Sequence, residues 1–173
     1  MIQTRLCLLQ NGYCHRNHLG TGTLAWALEY DLEAEHSFWD RGDCMRGKVY
    51  VQSGGPWEQI IGYSRAIRIG NRVVVAGTTA IQEQGVVGVG DIYKQTVFVL
   101  KVIEKALASV GAQMSDVIVV RIFVTDMSQW ETVARAHREV FADVRPVTTV
   151  VEVKALIDPR LLVEIEVEAV LCE

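Results

Sequence analysis

Three glutamates alternate with apolar residues in the segment VEIEVEA, where Glu164, Glu166 and Glu168 are each two residues apart. In an extended strand, residues at this spacing lie on the same side, so the three carboxylates share one face. A carboxylate in a cleft that excludes bulk water has a raised pKa and can take a proton from water as a general base. From the residues alone, a solvent-facing or interface charge is the more common role. Glu164 is therefore a candidate base that needs support from the rest of the chain.

A second group of candidates comes from the stretch RPVTTVVEV, which begins at Arg145, and from two residues elsewhere in the chain. Pro146 has no backbone N–H, so it suits the entrance of a strand. Thr148 follows inside the predicted strand, where threonine is usually a strand former. His137 lies within a predicted helix, and Tyr63 lies at the start of another predicted strand. A surface histidine and a half-buried tyrosine are the simpler interpretations, and a cleft acid or ligand is the alternative for His137.

Metal and nucleotide sites are not expected. The segment CHRNH places one thiol and two imidazoles between Cys14 and His18, but a zinc site would need a second group of ligands. The glycines of GVVGVGD lack the lysine of a phosphate-binding loop. No two of the four cysteines have C-x-x-C spacing, which indicates free thiols in a reducing cytoplasm.

Length and charge restrict the class of protein. A chain of 173 residues is long enough for one domain with a real core. The formal net charge is -4 and the basic residues form no run, which argues against a nucleic-acid partner. No apolar run approaches the ~20 residues that span a bilayer, and MIQTRLCLLQ lacks the apolar core of a signal peptide. We therefore expect a cytoplasmic protein that does not bind membranes.

The composition changes near Met45. Three of the four cysteines and three of the four histidines precede it, and residues 21–40 form a loosely periodic candidate helix. We interpret residues 1–44 as an N-terminal appendage: a misassigned upstream translation, a tag-like extension or a small helical addition. Residues 45–173 are interpreted as the functional domain.

Hydrophobic periodicity and turn residues predict the order β-β-α-β-α-β-β after Met45, an α+β fold. The predicted strands are 63–69, 72–78, 117–124, 147–154 and 161–170, and the predicted helices are 91–110 and 128–142. Gly70-Asn71 and Asp158-Pro159 are predicted turns. Asp91 is the predicted cap of the first helix and Gly111 its stop. Ser128 and Glu131 are predicted to form a capping box on the second helix.

Helices that alternate with strands require crossover connections, so we expect a mixed sheet with both helices on one face. The nearly all-apolar VIVVRIFV is predicted to be a central strand buried on both faces. The terminal strands are expected to pair as antiparallel hairpins. Val163, Ile165 and Val167 should face the helices. The other face is part apolar and part charged, which indicates that a partner covers it, and we expect a homo-oligomer.

Three segments resemble the Rid/YjgF family of reactive-intermediate deaminases: GYSRAIRIGNRVVVAGTTA, VVRIFVTDMSQWETVARAH and RPVTTVVEVKALIDPRLLVEIEVEAV. The resemblance covers about residues 53–170, and its signature runs through Pro146, VEV, Leu156 and Glu164-Ile165. It implies a chorismate-mutase-like fold and a homotrimer whose sheets form a central barrel. It also implies small-molecule clefts between subunits and the hydrolysis of imines and enamines to 2-keto acids and ammonia without a cofactor.

The resemblance assigns site residues position by position. It makes Tyr63 the cleft tyrosine, Glu164 the glutamate that positions water, and Gly77 the glycine whose backbone N–H faces the substrate carboxylate. Other positions of the family's site carry different residues here: Ala76 for a serine, Ala134 for an asparagine, Thr148 for the carboxylate-binding arginine and Val150 for an occasional cysteine.

The missing arginine at Thr148 matters most. A guanidinium grips a carboxylate through two charge-assisted hydrogen bonds worth roughly 1.5–3 kcal/mol each, whereas threonine offers one neutral hydroxyl. Since every ~1.4 kcal/mol is tenfold in affinity, a substrate other than the usual 2-imino acid is expected. Arg145 lies at the strand mouth, where it reaches either the cleft or solvent, and is a candidate replacement. Trp57 and Glu58 are candidates for covering the cleft mouth.

Three functions remain open at this point. The first is a cofactor-free hydrolase of an imine, an enamine or a related small carbonyl derivative with an altered substrate. The second is a regulatory trimer that binds a metabolite in its clefts without turnover. The third is endoribonuclease or translation-inhibitor activity, which has been attached to this family and which an acidic chain without a basic stripe supports little.

Overall fold

The structure is a computed structural model that describes residues 40–45 and 47–172, all within one compact unit, Glu35–Glu173. The predicted helix over residues 21–40 and the CHRNH segment lie outside the described residues, except that Asp40 opens the first strand. The division of the chain near residue 44 stays a prediction.

The described residues form strands and three helices, joined by short loops and two single turns of 3₁₀-helix. The strands are β1 (Asp40–Met45), β2 (Lys48–Gln52), β3 (Ala66–Ile69), β4 (Arg72–Thr79), β5 (Ile81–Gln82), β6 (Gly85–Val86), β7 (Val117–Val124), β8 (Val147–Glu152) and β9 (Val163–Val170). The helices are α1 (Pro56–Ile61), α2 (Ile92–Ser109) and α3 (Trp130–Phe141). From Ala66 onward this confirms the predicted α+β order, with a small β5–β6 hairpin added before α2.

The main sheet has the strand order β1-β2-β3-β4-β9-β7-β8. Its pairs are antiparallel except for β7 and β8, which run parallel because α3 connects them as a crossover. The last strand in the sequence, β9, therefore lies between β4 and β7 and forms hydrogen bonds with both. A residue on β9 consequently has neighbours from two distant segments of the chain.

One face of this sheet carries the core. Helix α2 contacts β4, β9 and α3, and its apolar stripe is buried. Val163, Ile165 and Val167 of β9 point into this core, which confirms the predicted alternation. The opposite face, which we call the open face, presents the β9 glutamates.

Local signals predicted the ends of α2 and the first hairpin correctly. The Asp91 side chain accepts a hydrogen bond from the backbone N–H of Lys94 at 3.1 Å. Gly111 follows the helix with φ +80°, a left-handed conformation that glycine adopts without strain. Gly70, between β3 and β4, has φ +58°.

Several strand predictions were wrong. Within one subunit β7 is not buried on both faces: Val120 and Ile122 are buried, whereas the alternating Arg121 and Phe123 are half-buried because they lie on the open face. β8 and β9 do not form a hairpin, because β9 pairs with β7 and β4 and leaves β8 at the sheet edge. The first predicted strand begins at Ala66, and β1, β2 and α1 precede it.

The cap of the second helix also differs from the prediction. The Asp126 side chain accepts from the backbone N–H of Ser128 at 2.9 Å and from the side-chain amide of Gln129 at 3.0 Å. Asp126 therefore opens a single 3₁₀ turn, Met127–Gln129, that leads into α3. The Ser128 and Glu131 capping box does not form, because a carboxylate two residues earlier takes the first free backbone N–H. No helix in the described part of the chain is long and apolar enough to cross a membrane.

Candidate functional site

Glu164 and Gly77 meet on paired strands at the open face. In the β4–β9 register, Thr79 lies opposite Glu164, and a bulge between Val75 and Thr78 brings Gly77 under the same side chain. A Cβ added to Gly77 would overlap the Glu164 Oε1 atom and lie 3.1 Å from Cδ. Gly77 is not in a left-handed conformation, so it is glycine for the space that the carboxylate needs.

The Glu164 carboxylate is half-buried and accepts no hydrogen bond from the residues that the structure describes. Burial raises its pKa, and the negative charge of Glu166 raises it further, while the Arg65 guanidinium opposes both effects. A carboxylate in this state takes up a proton more readily than an ordinary surface glutamate. This is the property that a general base toward water requires.

Arg65 connects Tyr63 to the Gly77 bulge. Its Nη1 donates to the carbonyl oxygen of Gly77 at 3.0 Å and to Thr78 Oγ1 at 2.9 Å. Its Nη2 donates to the Tyr63 hydroxyl at 3.0 Å, and its guanidinium lies 5.5 Å from the Tyr63 ring centroid. Only 8% of Arg65 is exposed, and an arginine this buried normally has a charged partner.

The charged partner of Arg65 is Glu58 from helix α1. Arg65 Nε lies 3.6 Å from Glu58 Oε1, and Glu58 is only 5% exposed. The Glu58 carboxylate also accepts from the backbone N–H groups of Ser53 and Gly54 and from the Ser53 hydroxyl. Helix α1 is therefore attached to the sheet through one buried ion pair.

A depression of about 390 Å³ lies beside this network, with Tyr63 in its wall. Its other lining residues come from the end of β2, from α1 and from the loop before β3: Gln52, Gly54, Glu58, Gln59, Gly62 and Ser64. Both Glu58 and Tyr63 line the depression, and a role of Glu58 in covering a cleft mouth stays a prediction. Trp57 is partly exposed on the same helix and is not among the lining residues.

Gln95 of α2 fixes the loop that leads into β9. This fully buried side chain donates to the carbonyl oxygen of Arg160 at 2.8 Å and accepts from the backbone N–H of Leu162 at 2.8 Å. Both polar ends of the amide are thus satisfied in the core. The start of β9 is set by these bonds, and with it the position of Glu164 two residues later.

Thr148 and Glu164 lie on opposite faces of the sheet within one subunit. The parallel register pairs Thr148 with Val120, which is buried on the helix side, whereas Glu164 is paired with Phe123 on the open face. Thr148 Oγ1 lies 3.4 Å from His137 Nε2 of α3. Burial lowers the pKa of His137, so this imidazole is neutral at pH 7.

The remaining predicted site residues lie apart from Glu164. Arg145 has φ +52°, and its Nε donates to the carbonyl oxygen of Ala142 at 3.2 Å, so its side chain turns toward the end of α3. Ala134 is exposed on α3, and Val150 is exposed on the same side of β8 as Thr148. Within one subunit none of these groups joins Glu164, and a substituting role for Arg145 stays a prediction.

Ala76 is part of the Gly77 bulge, as its position in the sequence requires. Its backbone N–H donates to the carbonyl oxygen of Arg65 at 2.9 Å, and its carbonyl oxygen accepts from Thr78 Oγ1 at 2.8 Å. An alanine side chain supplies no polar group, so the polar contacts at this position come from the backbone.

The other two glutamates of β9 are paired. Arg121 donates to Glu166 at 3.0 Å and to Glu168 at 3.1 Å, and Arg72 donates to Glu168 at 2.6 Å. The hydrogen bonds from Arg72 and Arg121 lower the pKa of Glu168. Glu164 differs from both neighbours because no arginine donates to it within the described residues.

Residues 40–45 and 47–172 contain no group of three or more side chains arranged to hold a metal ion. Sequence reasoning missed Arg65, Glu58 as its partner, and Gln95. Arg65 had a signal, since it lies two residues after Tyr63 in the predicted strand 63–69. Gln95 had no such signal, because the sequence does not show with which loop a glutamine inside a helix will form hydrogen bonds.

The family model described as Endoribonuclease L-PSP matches residues 57–171. The uncharacterized protein SCO2049 of Streptomyces coelicolor is 44% identical over 119 residues, which cover 69% of this chain and 89% of that protein. The 3-aminoacrylate deaminase RutC of Acinetobacter baylyi is 34% identical over 122 residues, which cover 70% of this chain and 95% of that protein.

A solved structure with a similar fold is Rv2704 of Mycobacterium tuberculosis, described as a member of the YjgF/YER057c/UK114 family. It has 48% sequence identity and a TM-score of 0.66, and the match covers 72% of this chain and 99% of that chain.

Proposed function

This chain belongs to the Endoribonuclease L-PSP family, also called the Rid/YjgF family, and we propose that it hydrolyses a small imine or enamine without a cofactor. The observation that carries the proposal is the Glu164 carboxylate, which is half-buried, has a raised pKa and lies over Gly77. The relative named 3-aminoacrylate deaminase supports a deamination. Tyr63, held by Arg65, is the second reacting group.

In the proposed reaction Glu164 accepts a proton from water as the water oxygen bonds to the imine carbon. The electrons of the C=N bond move to nitrogen, which takes the proton of the Tyr63 hydroxyl. Glu164 then returns its proton to nitrogen, the C–N bond breaks and ammonia leaves. The hydroxyl proton of the intermediate passes to Tyr63 as the carbonyl forms. Imine and water thus become carbonyl compound and ammonia, and both side chains are regenerated.

The substrate is proposed to lack the carboxylate that a cleft arginine would grip. Thr148 and a neutral His137 are 3.4 Å apart and provide hydrogen-bonding groups without charge. An uncharged carbonyl or amide group suits such a pair better than a carboxylate does. We therefore propose an imine or a related small carbonyl derivative whose second polar group is neutral.

The active assembly is proposed to be a homotrimer with clefts between subunits. Large apolar side chains of β4, β7 and β8 remain exposed: Val74, Ile118, Val147, Val150 and Val151. Such a set on a sheet edge and an open face is typical of a covered interface. Because Thr148 and Glu164 lie on opposite faces of one subunit, a shared cleft would combine the Thr148 of one subunit with the Glu164 of another.

We assign this activity to residues 45–173 and a location in the cytoplasm, and we treat residues 1–44 as an appendage. The match of the family model to residues 57–171 supports the assignment of the activity to this part of the chain. Deleting residues 1–39, which leaves β1 intact, should leave imine hydrolysis unchanged, and a loss of hydrolysis would contradict the assignment.

The test of the proposed function is imine hydrolysis by the purified protein. An amino-acid oxidase or a dehydratase generates imines from several parent amino acids, and semicarbazide trapping follows their disappearance. We expect faster loss of imine with the wild-type protein and no acceleration with Glu164→Ala. The matched control is Glu168→Ala, which removes a carboxylate on the same face that is bonded by Arg72 and Arg121. No acceleration by the wild-type protein for any imine tested would refute the proposal.

A metabolite-binding trimer without turnover is the second candidate, and the absence of an arginine at Thr148 favours it. Ligand-dependent shifts in melting temperature, without product, would support this function. Endoribonuclease activity is a weaker candidate despite the name of the family model. The chain has a formal net charge of -4, and the open face carries the β9 glutamates, which repel phosphates.

A further inference from the structure

We propose that Arg65 is a positioning residue of this site, whose buried guanidinium holds the Tyr63 hydroxyl and the Gly77 bulge in place beside Glu164. The inference rests on the proposed function and adds to it a residue that makes no contact with substrate. Three observations support it: the hydrogen-bond partners of Arg65, the direction of each hydrogen bond, and the burial of the Arg65–Glu58 ion pair.

The N–H groups of the Arg65 guanidinium donate hydrogen bonds to Tyr63 and to the Gly77 bulge. Nη1 bonds the carbonyl oxygen of Gly77 at 3.0 Å and Thr78 Oγ1 at 2.9 Å, while Nη2 bonds the Tyr63 hydroxyl at 3.0 Å. The planar guanidinium spans these partners in a fixed geometry. One rigid group therefore sets the distance between the tyrosine and the bulge under Glu164.

The backbone of Arg65 is fixed as well. Its N–H donates to the carbonyl oxygen of Val51 at 2.8 Å, and its carbonyl oxygen accepts from the N–H of Ala76 at 2.9 Å. On the far side, Glu58 neutralises the guanidinium at 3.6 Å from Nε. Because Nη1 and Nη2 bond Gly77, Thr78 and Tyr63, Arg65 has little freedom to turn toward a ligand, although its buried Nε makes no hydrogen bond.

The bond between Arg65 and Tyr63 has a chemical consequence. An arginine has no acceptor, so the Tyr63 oxygen must accept this hydrogen bond. The hydroxyl hydrogen of Tyr63 is then directed away from Arg65 and is available to donate. This is the orientation that protonation of the imine nitrogen requires.

Arg65 also contributes charge near the proposed base. The charged groups that act on Glu164 are Glu166 on the same strand and Arg65 across the bulge, with Glu58 behind Arg65. The cation lowers the pKa of Glu164 against burial and Glu166. Its removal should therefore leave Glu164 protonated over a wider range of pH.

The experiment compares Arg65→Met combined with Glu58→Gln, Arg65→Lys, and the control Arg68→Met. The double variant removes the buried pair together, because a single deletion would leave one buried charge uncompensated. Arg65→Lys keeps the charge but not the planar fork. Arg68 lies on β3, the strand that begins directly after Arg65 in the chain, and donates to the carbonyl oxygens of Gly70 and Val110, away from Glu164.

We expect kcat to fall about 100-fold in the double variant, the size of loss that a misplaced reacting group causes, with a much smaller change in KM. The acid limb of its pH–rate profile should move to higher pH, and carboxyl NMR should show the same upward shift in the titration of Glu164. Arg65→Lys should lose kcat without this shift. Arg68→Met should resemble the wild-type protein in every measurement.

Unchanged titration of Glu164 in the double variant, together with an unmoved Tyr63 in its crystal structure, would overturn the inference. If the double variant does not fold, an unchanged kcat in Arg65→Lys would overturn it equally. If the wild-type protein hydrolyses no imine, the proposed function fails, while the NMR titration and the position of Tyr63 still decide whether Arg65 positions these groups.

Discussion

The carboxylate of Glu164 occupies the space that a side chain at residue 77 would fill. The two residues lie on paired strands, and a Cβ on Gly77 would overlap Glu164 Oε1. The carboxylate is therefore held on the strand bulge without a hydrogen-bond donor among the described residues, which is how a half-buried glutamate keeps its raised pKa.

Gly77→Ala should displace Glu164 and destabilise the fold by about 1–3 kcal/mol, as overpacking does. Urea denaturation measures this change, and imine hydrolysis should fall with it. Gly55→Ala is the control, since its new Cβ would make only an ordinary contact with Ser53 Oγ at 3.5 Å. In a Glu164→Ala background the cost of Gly77→Ala should largely disappear. The same cost in both backgrounds would show that the two side chains do not compete for this space.

Glu164→Gln should make the protein more stable at pH 7 and leave it unchanged at low pH. Burial raises the pKa of Glu164, so the folded protein holds a proton where the unfolded chain has lost it. The stability contributed by this group therefore falls as pH rises from the ordinary glutamate pKa through the raised one. Glutamine, which does not ionise, escapes this loss. Unfolding curves from pH 4 to pH 8 measure the difference.

Glu168→Gln should show the opposite pattern and serves as the comparison. Hydrogen bonds from Arg72 and Arg121 lower the pKa of Glu168, so its contribution is present above the ordinary glutamate pKa and is lost as pH falls through the lowered one. The variant should be less stable than the wild-type protein at pH 7 and equal to it in acid. Parallel pH profiles for Glu164→Gln and Glu168→Gln would contradict both assignments.

Thr148→Arg should confer or increase activity toward 2-imino acids. The added guanidinium offers the substrate carboxylate two charge-assisted hydrogen bonds, so KM for these substrates should fall at least about tenfold. Steady-state kinetics with a 2-imino acid and with an imine lacking the carboxylate separate this effect from a general change. Thr149→Arg is the control, because the neighbouring residue points to the opposite face beside Arg121. Equal effects of the two substitutions would exclude a specific role for residue 148.

Val74→Glu should convert the proposed trimer to monomers. Val74 is 42% exposed and paired with Glu168 on the open face, so the substitution places a charge in the surface that subunits are proposed to share. Sedimentation velocity measures the assembly. Val89→Glu, in the exposed loop before α2, should leave the trimer intact. A monomeric wild-type protein, or a trimer that survives Val74→Glu, would refute the proposed interface.

Features that depend on neighbouring residues in the chain were predictable. Asp91 and Gly111 mark the ends of α2 because capping is a local property of the backbone. The alternation of Val163, Ile165 and Val167 with glutamates identified the buried side of β9 because strand side chains repeat every second residue. Glu164 was a candidate on the same ground and on the family resemblance.

Features that depend on pairing between distant segments were not predictable. The apolar composition of β7 did not reveal that its Arg121 and Phe123 face away from the helices. The predicted cap Ser128 is replaced by Asp126, which accepts from the N–H of Ser128 and opens the 3₁₀ turn that leads into α3. The bonds of Gln95 to Arg160 and Leu162 join residues that only the folded chain brings together.

The sequence by itself determined the order of the main elements from Ala66 onward and the buried side of the last strand, and the family resemblance singled out Glu164 and Thr148 as candidate site residues. Periodicity, caps and residue identity carry that information locally. The tertiary structure decided that Gly77 makes room for Glu164, that Arg65 ties Tyr63 to the same bulge, and that Thr148 lies on the opposite face. These relationships follow from strand register and from long-range hydrogen bonds, which only the folded chain establishes.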